Sequence, residues 1–217
     1  MPKRVVVEKG DCSLSIGAQS GGQAWDKVWN APDNQALRAK REPFTLAVGD
    51  VVVVPDVETK KVMVATGKSH TFVVKLPKAR VRVRLLSWDA EGKEKAVSGA
   101  SCHFLVKDRP EVTASSDGDG WCEAVVPARA KEVRLVVDGT KERPVARWKL
   151  AVGALAPSKS DDGASARLAN LGYAVPGQDP LACLPFALRA FQEDAKLKVT
   201  GELDDATADA LRKRHGV

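Results

Sequence analysis

The sequence has no long apolar run. No stretch of the 217 residues approaches the roughly 18–20 consecutive apolar residues that a membrane-spanning helix needs. The start, MPKRVVVEKGD, has only Val5–Val7 before the next charge, whereas a secretory signal needs about 7–15 apolar residues and a cleavage site. We therefore expect no membrane span and synthesis in the cytoplasm without a signal peptide. Any export would then follow a route that reads no cleaved signal.

Cysteine is scarce and scattered. No CxxC pair indicates a zinc or redox site, and the four cysteines are Cys12, Cys102, Cys122 and Cys183. A reducing compartment favours four free thiols. Cys102 and Cys122 fall in neighbouring predicted strands, and a disulfide between them is an alternative that the sequence leaves open.

Histidine is rarer still, and the usual catalytic motifs are missing. His70, His103 and His215 are not at metal-binding spacing with one another or with carboxylates. GxSxG, HExxH and phosphate-cradling glycine motifs are absent. We therefore expect a protein that is not an enzyme and uses no metal or cofactor. The alternative is a cysteine–histidine pair, whose members are distant in sequence. Its candidate nucleophile is Cys12, in a turn that we expect to be exposed.

Excess positive charge is confined to the middle of the chain. Residues 1–56 have 7 basic and 7 acidic residues, 57–150 have 19 and 12, and 151–217 have 8 and 9, which sums to +6. In KARVRVRLL, Arg80, Arg82 and Arg84 alternate with apolar residues, as in a strand with one wet face. This basic stripe is either a binding face for an acidic polymer or an ordinary strand surface. No aromatic residues interleave with the arginines, which argues against a nucleic-acid partner.

The N-terminal segment, 1–56, predicts the order strand, helix, helix, strand. The strands are Val5–Glu8 and a β-branched run that ends at Pro55, after a turn at Val48–Asp50. The helices cover Ser13 to about Gly21 and Ala24–Asn30, and the second resumes through DNQALRAKR.

This segment carries a family resemblance. VVVEKGDCSLSIGAQSG, WDKVWNAPDN and LAVGDVVVVP together resemble a LysM domain, a small βααβ module that binds glycans containing N-acetylglucosamine. Cys12 stands where threonine is usual, and QALRAKREPFT lengthens the stretch before the last strand. The longer form is similar to modules of phage-tail-like assemblies that dock proteins. The glycan-binding residues that the resemblance implies are Gly10, Asp11, Cys12, Ser13, Leu14, Leu46, Ala47 and Val48.

Residues 57–150 predict an antiparallel β-sandwich. The strand-like runs KVMVAT, SHTFVVKL, ARVRVRLLSW, ASCHFLVK, PEVTASS, WCEAVVP, EVRLVVD and ARWKLAVG alternate with turn signals. The stretch from Gly99 to Pro127 resembles prealbumin-like or carboxypeptidase-regulatory-like sandwiches. Asp117 and Asp119 lack the further oxygen ligands of a calcium loop, and Gly118 and Gly120 favour a tight hairpin instead.

After the linker VGALAPSKSDDGAS, three helices are predicted. Ala164, Leu168 and Leu171 repeat at helical spacing before Gly172, and Pro185 begins the second helix. In VTGELDDATADAL, Asp204 is expected to cap the third helix and Asp205 to favour its positive end, so the paired carboxylates are not read as a catalytic acid and base.

The same helices resemble the three-helix peptidoglycan-binding domain of cell-wall hydrolases. ARLANLGY and ALRAFQEDAKLKVTGELDDATADAL carry the likeness. The family's loop between the first two helices is replaced by QDPLACLPF, which keeps only Asp179. The resemblance implies a ligand site at Leu171, Gly172, Tyr173, Phe191, Gln192 and the loop 174–183.

Together these segments predict an α+β multidomain protein. Its predicted parts are a LysM-like domain (1–56), an antiparallel β-sandwich (57–150), a linker (151–163) and a helical peptidoglycan-binding-like domain (164–217). The combination resembles accessory proteins of contractile injection machines, with which it would be exported. We expect peptidoglycan as the partner, and a spike, baseplate or effector protein as a further one. The alternative is a structural adaptor with degenerate glycan sites, which binds such a protein through Arg80–Arg84 or the altered loop.

Overall fold

The computed structural model of the protein describes residues 1–57, 61–89, 91–141, 143–153, 155–173 and 178–216. Helices and antiparallel sheets are both present, as the α+β prediction requires. In chain order the elements are β1 (Lys3–Val6), α1 (Ser13–Gln19), α2 (Trp25–Trp29), a 3₁₀ turn (Pro32–Asn34), α3 (Gln35–Arg38), β2 (Val51–Val54), β3 (Lys78–Arg84), β4 (Leu86–Trp88), β5 (Glu94–Ala96), β6 (Ser101–Leu105), β7 (Val112–Ser115), β8 (Trp121–Pro127), β9 (Glu132–Val137), β10 (Ala146–Ala151), α4 (Asp161–Asn170), α5 (Leu184–Asp194) and α6 (Asp205–His215).

The chain divides into two compact units. Unit 1 consists of Met1–Lys3, Leu14–Val28 and Val54–Val152, and unit 2 consists of Arg4–Ser13, Trp29–Val53 and Gly153–Val217. Each unit therefore contains part of the N-terminal segment. The predicted domain boundaries at 56, 150 and 163 stay a prediction.

Unit 1 is built on antiparallel sheets. One has the strand order β10-β9-β6-β7, and the pairs β3–β8 and β4–β5 stand beside it. Along β8 every second residue is buried, because period-two alternation points Cys122, Ala124 and Val126 to the interior. These side chains join Phe104 of β6 and Leu135 of β9 in one hydrophobic cluster. Burial of this apolar surface is the main contribution to the stability of the unit.

Two predicted strands are missing. KVMVAT (61–66) and SHTFVVKL (69–76) form no strand, and their apolar side chains are exposed. ARVRVRLLSW is also interrupted, at Leu85, between β3 and β4. β-Branched composition favours an extended chain, but a strand also needs a neighbouring edge with which to pair. The sequence pattern does not contain that information.

The aspartates before β8 form a turn, as predicted. Asp117 Oδ1 accepts the N–H groups of Asp119 at 3.0 Å and Trp121 at 2.8 Å. Gly120 adopts φ +82, in the left-handed region that glycine occupies without strain.

Cys102 and Cys122 are neighbours in the core of unit 1, but both are free thiols. Burial, followed by a hydrogen bond with Cys102, raises the pKa of the Cys122 thiol to about 12. The open alternative of a disulfide is therefore not realised in this structure.

Unit 2 contains the three C-terminal helices. Leu168 of α4, Leu188 and Phe191 of α5 and Leu211 of α6 form the centre of their hydrophobic cluster. α4 begins at Asp161, ahead of the first apolar repeat, because the Ser160 hydroxyl accepts the Gly163 N–H at 3.2 Å.

The same unit holds the remaining part of the N-terminal segment. Val7 and the turn before β2 are joined by bonds from Val7 N–H to Asp50 O at 2.8 Å and from Gly49 N–H to Val7 O at 2.9 Å. Asn34 bonds to both backbone groups of Val53, each at 2.8 Å. In the parts of the chain that are described, no helix combines the length and the apolar character needed to cross a membrane.

Candidate functional site

Asp204 caps α6 and Asp205 is the first residue of the helix, as predicted. Asp204 Oδ1 accepts the Thr207 N–H at 2.7 Å, and hydrogen bonds to the side chain and backbone of Thr207 lower the pKa of Asp204. Asp205 pairs with Lys159 at 2.6 Å. A general acid needs a raised carboxyl pKa, so the shift at Asp204 is in the wrong direction for that role. Gly216 ends the helix in the left-handed conformation.

Gln192 is the centre of a buried hydrogen-bond network. Its Nε2, which carries two hydrogens, lies within hydrogen-bond distance of three acceptors: Thr200 Oγ1 at 3.1 Å, Glu202 O at 3.0 Å and Thr207 Oγ1 at 3.0 Å. Its Oε1 accepts the N–H groups of Thr200 and Gly201, both at 2.9 Å. The side chain is 0% exposed, so Gln192 offers no atom to a ligand in this structure. It fixes the turn between α5 and α6 instead.

Tyr173 is a predicted site residue that is half-buried and held in a fixed position. Gly172 N–H bonds to Ala169 O at 3.1 Å and Tyr173 N–H to Leu168 O at 2.9 Å, as in a Schellman cap of α4. The Tyr173 ring meets the buried Phe191 ring edge to face, with centroids 5.6 Å apart. Its hydroxyl donates to Asp194 Oδ2 at 2.7 Å.

The predicted residues of this site therefore divide into two groups. Phe191 and Gln192 are interior and support the site from within. Leu171 and Tyr173 are half-buried and Gly172 is exposed, so these three reach the surface. Of the five predicted residues on α5 and at the end of α4, these three are the ones that a ligand can touch.

The altered loop is described from Gln178 onward, and its residues 174–177 lie outside the described residues. Asp179 organises the visible part: its Oδ1 accepts the Leu181 N–H at 3.1 Å and its carbonyl accepts the Cys183 N–H at 3.2 Å. Leu181 and Phe186 are exposed.

The sequence did not predict a role for Phe186 or Asp194. Phe186 falls off the buried face marked by Leu184, Leu188 and Phe191, and that offset was the available signal.

The predicted glycan-binding turn at Gly10–Ser13 is not accessible to a ligand. Asp11, Cys12 and Ser13 are all buried, and Ser13 N–H bonds to Pro43 O at 2.9 Å. A Cβ placed on Gly153 would lie 3.0 Å from Gly10 O and 3.8 Å from Cys12 Sγ. The backbone at Gly153 therefore lies directly on this turn. The expectation that Cys12 is exposed was wrong, because the chain's own linker covers it.

The second half of the predicted LysM-like site ranges from buried to exposed. Leu46 is buried, Ala47 is half-buried and Val48 is exposed. Asp50 accepts the Ala47 N–H at 2.8 Å and pairs with Arg41 at 2.8 Å, which holds the turn in place. In unit 1, half-buried Leu14 packs against the hydrophobic cluster of the sheets.

The basic stripe is partly neutralised. Arg80 lies 3.9 Å from Glu123, and Arg84 lies 3.6 Å from Glu94. Arg82 stacks over the Trp121 ring at 4.1 Å, a contact that the sequence analysis missed. Trp121 lies opposite Arg84 on β8, so the aromatic partner comes from the neighbouring strand and not from β3.

His103 of β6 contacts one residue just before β7 and one just after β9 in the larger sheet of unit 1. Its Nδ1 contacts Glu111 Oε1, and its Nε2 lies 3.1 Å from Asp138 Oδ2. These two hydrogen bonds raise the pKa of His103, the bond to Asp138 most strongly. Among the residues that the structure describes, no group of three or more His, Cys, Asp or Glu side chains is arranged to hold a metal.

Comparison with known proteins identifies one of these regions. Residues 186–211 match the family model described as "Putative peptidoglycan binding domain". Searches of curated proteins and of solved structures return no match. The matched residues cover most of α5, the turn that Gln192 organises and the first part of α6. The chain thus carries a C-terminal helical region similar to a peptidoglycan-binding domain, and this similarity supports peptidoglycan as its partner.

Proposed function

We propose that the protein is a non-enzymatic cell-wall-binding component whose C-terminal helices bind peptidoglycan. The family match over residues 186–211 is the observation that carries this proposal. The Gln192 network gives the match a physical basis, because it fixes the α5–α6 turn within the matched residues.

The ligand surface that we propose begins at Tyr173 and continues over the loop Gln178–Cys183. The half-buried Tyr173 ring is held in place by its contact with Phe191 and by the hydrogen bond to Asp194. Such a fixed aromatic ring suits the apolar face of a sugar or a stem-peptide side chain, because little side-chain entropy is lost on binding. The exposed Phe186 adds a second aromatic group on α5.

A pull-down with purified peptidoglycan sacculi tests this function. The full chain is expected to sediment with sacculi, and Tyr173→Ala is expected to lose most of that binding. Trp88→Ala is a matched control, because Trp88 is an exposed aromatic of β4. The +6 chain can stick to sacculi nonspecifically, so the binding must survive added salt. Equal sedimentation of both variants would argue against the proposed surface.

The N-terminal segment is proposed to be LysM-like, with a degenerate or covered glycan site. The observation behind this is the position of Gly153 against Gly10 and Cys12. The covered turn favours a protein-docking role for the N-terminal segment, which is the second candidate function. It argues against glycan binding by both the N-terminal and the C-terminal module. Association with the spike, baseplate or effector of a contractile machine, and export with it, rests on sequence resemblance alone.

The absence of catalysis is also part of the proposal. It is supported by the lowered pKa of Asp204 and by the burial of Cys12. Incubation of the protein with sacculi is expected to release no soluble muropeptides. Release that persists in Asp204→Asn and Cys12→Ala variants would point to a catalytic group that we have not identified.

A further inference from the structure

The proposed function does not involve residues 61–77, which we call the cationic apolar segment. The segment precedes β3 and contains no helix or strand, only a turn at Thr66–Lys68. Its large apolar side chains are exposed, from 49% for Leu76 to 82% for Val73 and 100% for Met63. Exposed apolar surface of this kind marks an interaction site.

The segment has the composition of a β-hairpin. Two runs rich in valine flank Gly67, whose φ of +74 suits a tight turn. His70 Nε2 lies 2.8 Å from Ala65 O, so the two runs already approach each other across the turn. A two-stranded hairpin alone is at best marginally stable in water. A third strand from elsewhere would complete it.

Both faces of such a hairpin would be apolar. With Ala65 opposite His70, Met63 and Phe72 lie on one face, and Val64 lies on the other. Strands that are apolar on both faces are typical of sheets covered on both sides. A lipid surface would cover only one face, and both runs are shorter than the roughly 9–11 residues of a membrane-spanning strand. The pattern therefore favours a protein partner.

The charge of this region specifies the partner further. From Lys61 to Trp88 the sequence contains no aspartate or glutamate, and its basic residues are Lys61, Lys68, Lys75, Lys78, Arg80, Arg82 and Arg84. These seven charges equal the whole excess of residues 57–150. A second copy of the chain would bring like charges together, whereas an acidic protein would be attracted.

We infer that the cationic apolar segment is a docking hairpin that forms on an acidic partner protein with an open sheet edge. Strand addition would satisfy its backbone N–H and C=O groups, bury its valines and pair its lysines with carboxylates. The end of the segment is already placed, because Leu76 lies near Gly22 and lines a groove with Leu14 and Trp25.

Hydrogen exchange of the isolated full chain gives the first test. Amides of residues 61–77 are expected to exchange at close to intrinsic rates while those of β6 and β9 stay protected. Protection of 61–77 in the isolated chain would mean that the hairpin is already paired, and would overturn the inference.

Photo-crosslinking in the producing cells gives the second test. A photoreactive amino acid replaces Val73, and the control replaces Val145, which is also exposed but lies outside the segment. The expected result is one dominant adduct at Val73 with an acidic protein, lost in the K61E/K68E/K75E variant. That protein, once purified, should protect the amides of 61–77. An adduct that survives charge reversal, adducts with lipid or a second copy, or no adduct above the control would each overturn the inference.

A folding control separates binding from stability. The F72S/V74S variant leaves position 73 available for the photoreactive amino acid and is expected to keep the thermal midpoint of the parent chain, because both replaced side chains are exposed. It should lose the crosslinked partner while its binding to sacculi is unchanged. A marked fall in its midpoint would place these residues in the protein's own core and contradict the inference.

Discussion

The Tyr173 hydroxyl donates a 2.7 Å hydrogen bond to Asp194, which joins the end of α4 to the last turn of α5. Tyr173→Phe removes this bond and keeps the ring against Phe191. We expect it to lower the free energy of unfolding by about 0.5–1.5 kcal/mol, the usual net worth of one hydrogen bond. Urea unfolding measures the change, and binding to sacculi should persist. Loss of binding in Tyr173→Phe would show that the hydroxyl, and not the ring, recognises the ligand.

Gln192 is predicted to be a structural residue. Gln192→Leu leaves the N–H groups of Thr200 and Gly201 without their acceptor inside the unit. Unsatisfied buried groups cost about 1–3 kcal/mol each, so we expect a loss of about 2–5 kcal/mol in unfolding free energy. Gln35→Leu is the control, because Gln35 is exposed at the start of α3 and lies outside the proposed ligand surface. If Gln192→Leu folds normally but fails to bind sacculi, Gln192 contacts the ligand and our structural assignment is wrong.

The position of Gly153 against Gly10 leads to a prediction about the covered turn. Gly153→Ala combines the strain of a φ of +73 with a Cβ 3.0 Å from Gly10 O. Gly49→Ala has a φ of +91 but meets nothing within 4 Å, so it reports backbone strain alone. A left-handed alanine costs roughly 1–2 kcal/mol. We expect Gly153→Ala to lower the melting temperature more than Gly49→Ala. Equal shifts would mean that the linker does not lie on the turn in solution.

The two partnered histidines predict opposite responses to pH. The pKa of His103 is raised, so its stabilisation is complete below the unfolded value near 6.5 and is lost as pH rises through the folded pKa. Burial lowers the pKa of His215 most strongly, and the charge of Arg167 lowers it further. The contribution of neutral His215 to stability is therefore present above the unfolded pKa and is lost as pH falls below it. Unfolding midpoints between pH 5 and 8 test this. In a plot of unfolding midpoint against pH, His103→Gln should flatten the alkaline side of the curve. His215→Gln should flatten its acidic side.

The sequence predicts local structure best where one short stretch contains the whole cause. The position of Asp204, three residues before Thr207, was sufficient to predict the N-terminal cap of α6. The position of Gly172, after the apolar repeat of α4, was sufficient to predict where that helix ends. The strands β6, β8 and β9 follow from alternating burial in the same way. In each case the partner atoms lie within a few residues, or the pattern itself defines the buried face.

Features that depend on distant partners were not predictable. Arg167 is buried because its guanidinium donates to Ala156 O at 2.8 Å and Gly163 O at 3.0 Å, and no sequence rule distinguishes it from a surface arginine. The covering of Cys12 by Gly153 joins residues far apart in the chain. The exposure of Met63 and Val73 likewise reflects a missing neighbour, which composition cannot reveal.

The most direct test of peptidoglycan binding is a titration of the full isotope-labelled chain with purified muropeptides, followed by amide chemical-shift changes. We predict that the shifted amides cluster at Leu171–Tyr173 and Gln178–Cys183, and that those of Gly10–Ser13 stay unchanged. The absence of saturable shifts, or shifts confined to Gly10–Ser13, would contradict the assignment of the C-terminal helices as the cell-wall-binding region.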